Sequence, residues 1–355
     1  MKLSKYSGNP ILSPNPDNEW ESLVVCNPGV WYEAGKFYML YRAAGNDEAH
    51  TIRFGLAISE DGFHFERASG KPVFGPQEGN FDGGGVEDPR IVKFDDYFYI
   101  TYAFRPFPPG QYWKFEHDVV LAPDYGPNAP AFIQKNLGNT ALACTKDFKH
   151  WKRLGRLTNP CLDDRDVILF PEKIDGKFVM LHRPKQYIGE KYGVKYPSIW
   201  LKYSDDILSW EDKPSSLLLT GREGSWEEKI GGSTPPIRTD AGWLVLYHGV
   251  EHGGLGFYRV GALLLDLKDP LKILGKTPFY IMEPELDFEI NGYYNGCVFP
   301  TGNVVVNDIL YIYYGGADKY VGVATCNIND LVQHLLENPF EKETETTKEN
   351  TLCRM

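Results

Sequence analysis

The sequence predicts an all-β fold, a five-bladed β-propeller, on three observations. No stretch reads as a long amphipathic helix, short runs of Tyr, Phe, Val and Ile are punctuated by Gly, Asp and Pro, and one hairpin unit recurs five times. The hairpins are PGVWYEAGKFYMLYR from Pro28, PRIVKFDDYFYITYA from Pro89, PEKIDGKFVMLHR from Pro171, PIRTDAGWLVLYH from Pro236 and PTGNVVVNDILYIYYG from Pro300. Proline has no N–H to give to a ladder, so it is expected at the first residue of each strand, with D-G, A-G or N-D making the turn. A third strand follows each hairpin, beginning at Gly55, Ala141, Ser198, Gly261 and Gly322, and in the first three units Asp61, Asp147 and Asp206 precede Phe65, Trp151 and Trp210 by four residues. A β-sandwich has no reason to repeat that spacing. About four strands per unit and five units fill the chain, giving one propeller domain over residues 1–340. Residues 105–139, rich in Pro, Phe and Tyr, form an insertion expected to loop over one mouth of the channel, and 341–355 a polar tail.

Composition narrows the class. The chain has 355 residues, 42% of them hydrophobic and 24% charged, which is ample for a core. Its formal net charge of −11 opposes nucleic acid and anionic membranes as partners, so any anion must be held by a local basic pocket. The first residues, MKLSKYSGNPILSPNP, contain no apolar run of signal-peptide type, and the expectation is a cytoplasmic protein. Six scattered cysteines (Cys26, Cys144, Cys161, Cys297, Cys326 and Cys353) with no C-x-x-C are read as reduced, mostly buried thiols. The oligomeric state is open, a homo-oligomer included.

Aligning the hairpins on their second strands puts Tyr41, Tyr102, His182, Tyr247 and Tyr314 in one register, followed by Arg42, Ala103, Arg183, His248 and Gly315. In a radial repeat such positions converge, so Arg42, Arg183 and His248 are expected to face one another, the alternative being strand ends that point to solvent. The residues before the repeated prolines are Asn27, Asp88, Phe170, Pro235 and Phe299, of which only Asp88 is acidic. Asp88 follows three glycines and is flanked by Glu87 and Arg90; a carboxyl in a cleft beside another acid suits a general acid, although an Asp-Pro pair alone reads as a turn. Asp318, behind two glycines, is a second carboxylate at a strand end, or an ordinary turn residue. Arg165 and Lys229, singly, are surface charges; added to Arg183 and His248 they make a site for phosphate. No Walker A, G-x-G-x-x-G or H-E-x-x-H motif is present, so no nucleotide or resident metal is expected, although Asp88, Asp318 and His248 are potential ligands.

VEDPRI, RDVILFPEKIDGKFVMLHRP, WEEKIGGSTPPIRTDAGWLVLYHGV, GALLLDLKDP and YYGGADKYVGVAT resemble, in order and spacing, the signatures of glycoside hydrolase family 130, the β-mannoside phosphorylases, across about residues 20–335. The resemblance implies a five-bladed propeller that carries out inverting phosphorolysis, turning a β-mannoside and inorganic phosphate into α-mannose 1-phosphate and a shortened sugar, with phosphate as co-substrate and no cofactor. It implies that Asp88 is the proton donor, acting through a hydroxyl of the mannosyl ring. It implies phosphate binding by Arg165, Arg183, Lys229 and His248, and contact with the mannosyl unit by Asp318 and Arg42. Asn27, Glu87 and Arg90, beside these positions, complete the expected substrate-binding set. An inverting hydrolase needs a base to activate water, whereas phosphate is already a nucleophile and needs cations behind the anomeric carbon. The competing expectations are a β-mannosidase of the same family and a non-catalytic carbohydrate-binding propeller. The linkage and acceptor sugar stay open, since the 105–139 insertion and the H-G-G-L-G stretch after His248 depart from the better-known subgroups.

Overall fold

The computed structural model describes residues 1–111, 126, 128, 130–251 and 256–341. Among the described residues, 21 strands form five antiparallel sheets arranged as propeller blades. The N-terminal strand is β1 (Ser4–Lys5). Blade 1 contains β2 (Val24–Glu33), β3 (Lys36–Ala44), β4 (Arg53–Ser59) and β5 (Glu66–Arg67), in that order. Blade 2 contains β6 (Gly85–Phe94), β7 (Tyr97–Arg105), β8 (Asn139–Thr145) and β9 (Trp151–Arg156). Blade 3 contains β10 (Asp164–Leu169), β11 (Phe178–Pro184), β12 (Ile199–Ser204) and β13 (Ser216–Leu219). In blade 4 the inner edge is split into β14 (Lys229–Gly232) and β15 (Ile237–Arg238), both paired with β16 (Trp243–Val250), which is followed by β17 (Tyr258–Leu265) and β18 (Ile273–Lys276). Blade 5 contains β19 (Val298–Val306), β20 (Ile309–Gly316) and β21 (Tyr320–Asn327), and β1 adds its fourth strand, which ties the N-terminus to the C-terminal blade.

One sequence expectation, the alignment on the repeated prolines, is corrected. Proline does not open each inner strand: Pro28 and Pro89 lie inside ten-residue strands at β-bulges, where the ladder is interrupted and no N–H is missed. Pro171 falls beyond the end of β10. The third blade's counterpart of Asn27 and Asp88 is therefore Asp166 and not Phe170, which is buried in the apolar layer between blades 3 and 4. The chain after β21 forms a helix, Ile328–Leu336. Asn327 caps it by accepting from the Asn329 and Asp330 amides, and Ile328, Leu331, Val332 and Leu335 are buried against blades 4 and 5.

Aligned tyrosines tie the blades together. Tyr41, Tyr247 and Tyr314 each lie over a glycine of the third strand (Gly55, Gly261 and Gly322), where a Cβ would strike the ring. Each hydroxyl donates to a buried carboxylate, Tyr41 to Glu21 at 2.9 Å, Tyr102 to Asp82 at 3.1 Å, Tyr247 to Glu227 at 2.6 Å and Tyr314 to Glu289 at 2.7 Å. Each of these carboxylates in turn receives a cation from the fourth strand of its blade: Arg67, Arg153, Lys276 and Lys5, at 2.8, 2.8, 2.6 and 2.7 Å. Blade 3 departs, with His182 Nδ1 2.9 Å from Asp164. The Asp61, Asp147 and Asp206 repeat makes Asx turns between third and fourth strands, accepting from amides two residues on.

The bulges and the break between β14 and β15 expose carbonyls that neighbouring blades satisfy: Thr101 donates to Val167 O at 2.8 Å, Thr301 to Pro28 O at 3.0 Å, and Arg90 Nε to Ser233 O at 2.8 Å. Among the described residues the cysteines are free thiols, with Cys26, Cys144 and Cys297 buried; Cys353 lies outside them. The tail beyond Glu341, residues 252–255 of the H-G-G-L-G stretch, and most of the insertion's middle also lie outside the described residues. No helix among the described residues is long and apolar enough to cross a membrane.

Candidate active site

A cavity of about 280 Å³ lies where the five blades meet, lined from blade 1 by Asn27 and Arg42, from blade 2 by Glu87 and Asp88, from blade 3 by Arg165, Asp166 and Arg183, from blade 4 by His248 and Tyr258, and from blade 5 by Phe299 and Asp318. The bulge builds much of it. In β2, β6 and β10 two residues oppose one of the next strand, and the first of the two, Asn27, Asp88 or Asp166, takes a left-handed φ of 44°, 52° or 58°. Asn and Asp tolerate that conformation better than other side-chain-bearing residues, which explains the polar residue at each bulge.

One wall is acidic. Asp88 Oδ1 accepts from Asn27 Nδ2 at 2.8 Å and from Arg42 Nη1 at 3.2 Å. Asn27 Nδ2 also reaches Asp318 Oδ1 at 3.5 Å. Burial, with Asp88 and Glu87 nearby, raises the Asp318 pKa against the pull of Arg42. Glu87 stands 3.5 Å from Arg42 and 3.4 Å from Arg105. Burial works against its charge, but Arg42, Arg105 and Arg165 outweigh it and hold its pKa below the ordinary value.

The opposite wall is cationic. Arg165 is forked by Asp163, Nε to Oδ1 at 2.8 Å and Nη2 to Oδ2 at 2.9 Å, and Lys185 joins the same carboxylate at 3.0 Å. Arg183 places Nε and Nη2 on Asp166 Oδ2, at 2.8 and 2.5 Å. Its Nη1 is buried and has no hydrogen-bond partner among the described residues. An orphaned guanidinium N–H pair at a polar cavity is costly unless a ligand accepts from it. Lys229 does not reach the lining; its ammonium lies 5.8 Å from the centroid of the Tyr258 ring, which does. Burial, reinforced by Arg183, Lys185 and Arg165 against Asp166, lowers the Lys229 pKa to about 7. Burial, opposed by Asp166 and reinforced by Arg183, Lys229 and Arg90, lowers that of His248 to about 3, leaving a neutral imidazole at physiological pH.

Arg42, Arg165, Arg183, His248, Asp88, Asp318, Asn27 and Glu87 are thus brought together. Arg90 is not at the lining. It is buried, with Nε on Ser233 O, Nη1 on Asp88 O at 3.1 Å and Nη2 3.4 Å from Asp166, so it braces the two walls from behind. The residues that sequence reasoning missed are Asp166, Asp163, Lys185 and Arg105. Aligning the blades on the polar residue before each inner strand's apolar run (C-N-P-G-V, E-D-P-R-I, R-D-V-I-L) would have found Asp166. The described ends of the insertion reach the cavity through Pro109, Lys135 and Asn136. Asn136 exchanges side-chain bonds with the Phe107 amide and carbonyl, both at 3.0 Å, and fixes this base; the expected loop over the mouth falls largely on residues 112–125, outside the described residues.

The family model described as beta-1,4-mannooligosaccharide phosphorylase matches residues 3–122 and 133–337. A 1,2-β-oligomannan phosphorylase of Thermoanaerobacter sp. strain X514 is 36% identical over 93% of this chain and 99% of its own length. A β-1,2-mannobiose phosphorylase of the same strain is also 36% identical, over 91% of this chain and 97% of its own. Among solved structures, the Listeria innocua β-1,2-mannobiose phosphorylase in complex with β-1,2-mannobiose superposes with a TM-score of 0.74 at 26% identity, covering 94% of this chain and 99% of that one.

Proposed function

Because the chain belongs to the β-1,4-mannooligosaccharide phosphorylase family, glycoside hydrolase family 130, we propose that it is a phosphorylase that cleaves β-mannosides with inorganic phosphate and inversion, giving α-mannose 1-phosphate and a shortened sugar. The relatives at 36% identity act on β-1,2-linked mannosides, and β-1,2-linked manno-oligosaccharides are the substrates we assign. The observation that carries the reading is the buried Nη1 of Arg183, unpartnered among the described residues, beside Arg165 and His248, an arrangement that calls for an anion.

The mannosyl unit sits over the acidic wall, held by Asn27, Arg42 and Asp318, with Asp88 as proton donor. Phosphate sits against Arg165, Arg183 and His248, with Lys229 adding charge from behind Tyr258. The cations hold it behind the anomeric carbon, so that proximity and charge neutralisation replace a catalytic base. Water as nucleophile would need a carboxylate free to accept a proton. The acids on this wall, Asp163 and Asp166, are instead committed to Arg165 and Arg183, and these cations outweigh burial and hold both pKa values well below the usual carboxylate range. A carboxylate so held is a poor base, and this disfavours the β-mannosidase reading.

The test is incubation with β-1,2-, β-1,3- and β-1,4-mannobiose in phosphate buffer. Mannose 1-phosphate from the β-1,2 disaccharide is expected; its appearance only from another linkage overturns the assigned substrate.

A further inference from the structure

Resting on the phosphorolytic reading above, we propose that Asp166 is the positioning residue of the phosphate site, holding the Arg183 guanidinium side-on so that Nη1 alone is left to the anion. Both other nitrogens of Arg183 converge on one oxygen of Asp166, Oδ2, at 2.8 and 2.5 Å, and Nη1 has no partner among the described residues. Two bonds to one fixed acceptor leave the planar group little freedom to rotate. The acceptor is itself fixed. Asp166 occupies the left-handed position of the β10 bulge, and Arg90 holds its other oxygen at 3.4 Å while bonded to Ser233 O and the Asp88 carbonyl. Gly231 leaves room for it, since a Cβ there would stand 2.5 Å from Asp166 Oδ2 and 2.6 Å from the His248 ring.

An anion inside an anion-binding wall is unfavourable unless it organises the cations, and the surroundings of Asp166 fit that role. Arg183 of β11, Arg90 of β6 and His248 of β16 face it, with Lys229 of β14 and Arg165 of its own strand within electrostatic range; Tyr258 of β17 lines the same cavity. Without the carboxylate, Arg183, Arg90, Arg165 and the Lys229 ammonium would repel one another and Arg183 would be released. The same bulge position thus carries the expected proton donor in blade 2, Asp88, and a cation anchor in blade 3.

The experiment is steady-state kinetics of the full-length enzyme with β-1,2-mannobiose and inorganic phosphate, from pH 5.5 to 9, for wild type, Asp166→Asn, Arg183→Lys and the double variant. Asp166→Asn keeps the shape and the left-handed preference. It should raise the phosphate KM roughly tenfold or more, the worth of a charge-assisted bond, and leave the mannoside KM within about threefold. Because Asp166 favours the Lys229 proton, the alkaline fall of kcat/KM for phosphate should move to lower pH, which a purely structural loss would not produce. Combined with Arg183→Lys, its effect on the phosphate KM should be less than additive. Should Asp166→Asn fail to fold, Asp166→Glu keeps the charge on a longer arm and should raise the phosphate KM while leaving the alkaline limb in place. An unchanged phosphate KM, an equal rise in both KM values, or additivity with Arg183→Lys would overturn the proposal. Phosphate-independent turnover by the wild type would instead overturn the phosphorolytic reading, and this proposal with it.

Discussion

The site's chemistry turns on how single side chains are held. Asp88 is poised by Asn27 and Arg42, both on Oδ1, and Asp88→Asn should lower kcat by ~10²–10⁴ with unaltered folding. Stopped-flow or discontinuous assays of mannose 1-phosphate check this; an unchanged rate would show that another group donates the proton. Lys229 is the group whose charge changes in the working range. With its pKa near 7, the ammonium is present below that pH and lost above it, so kcat/KM for phosphate should decline by up to about tenfold per pH unit on the alkaline side. Arg stays charged there, so Lys229→Arg should flatten that limb, and a limb that persists would point to a different titrating group. Asp88, Arg165 and Lys229 could be picked from the sequence because they stand in ordered motifs. Asp166 becomes readable only when the blades are aligned at the bulge, and Asp163 does not, because an acid two residues from an Arg looks like a surface pair until Lys185 is placed against it.

At the scale of elements, the second strand of each hairpin is the most readable feature, since one aromatic or histidine in fixed register reports both the strand and the blade. The sequence does not reveal what the tyrosine hydroxyls bond. Glu21, Asp82 and Glu227 precede their tyrosines by 20 residues and Glu289 precedes Tyr314 by 25, each on the connection into its blade, where no periodic pattern marks them. Nor does it reveal β1, a two-residue strand whose partner lies more than 300 residues away. Lys5 of that strand bonds the buried Glu289, which also accepts from Tyr314. Lys5→Ala should therefore destabilise the protein by about 1.5–3 kcal/mol, the range for a hydrogen bond to a charged group, with kcat changed little. Denaturant unfolding checks this, and an unaltered midpoint would mean that closure of blade 5 does not depend on the pair.

For the whole molecule, five blades give a cavity whose two walls differ in charge. Blades 1, 2 and 5 bring Asn27, Arg42, Asp88 and Asp318, and blades 3 and 4 bring Arg165, Arg183 and His248, with Lys229 behind Tyr258. The radial arrangement follows from the repeat, and it is why Arg42, Arg183 and His248, far apart in the chain, could be expected at one place. Division of labour between the walls predicts a split in kinetics: Arg183→Ala should raise the phosphate KM by roughly tenfold or more, and Arg42→Ala should act mainly on the mannoside. Equal effects of either variant on both substrates would remove the division. The most direct test of the central claim is the initial rate of mannobiose cleavage as inorganic phosphate is titrated from zero, with products identified. The cation wall predicts saturable dependence on phosphate, negligible turnover without it and α-mannose 1-phosphate as product; undiminished release of free mannose in phosphate-free buffer would contradict it.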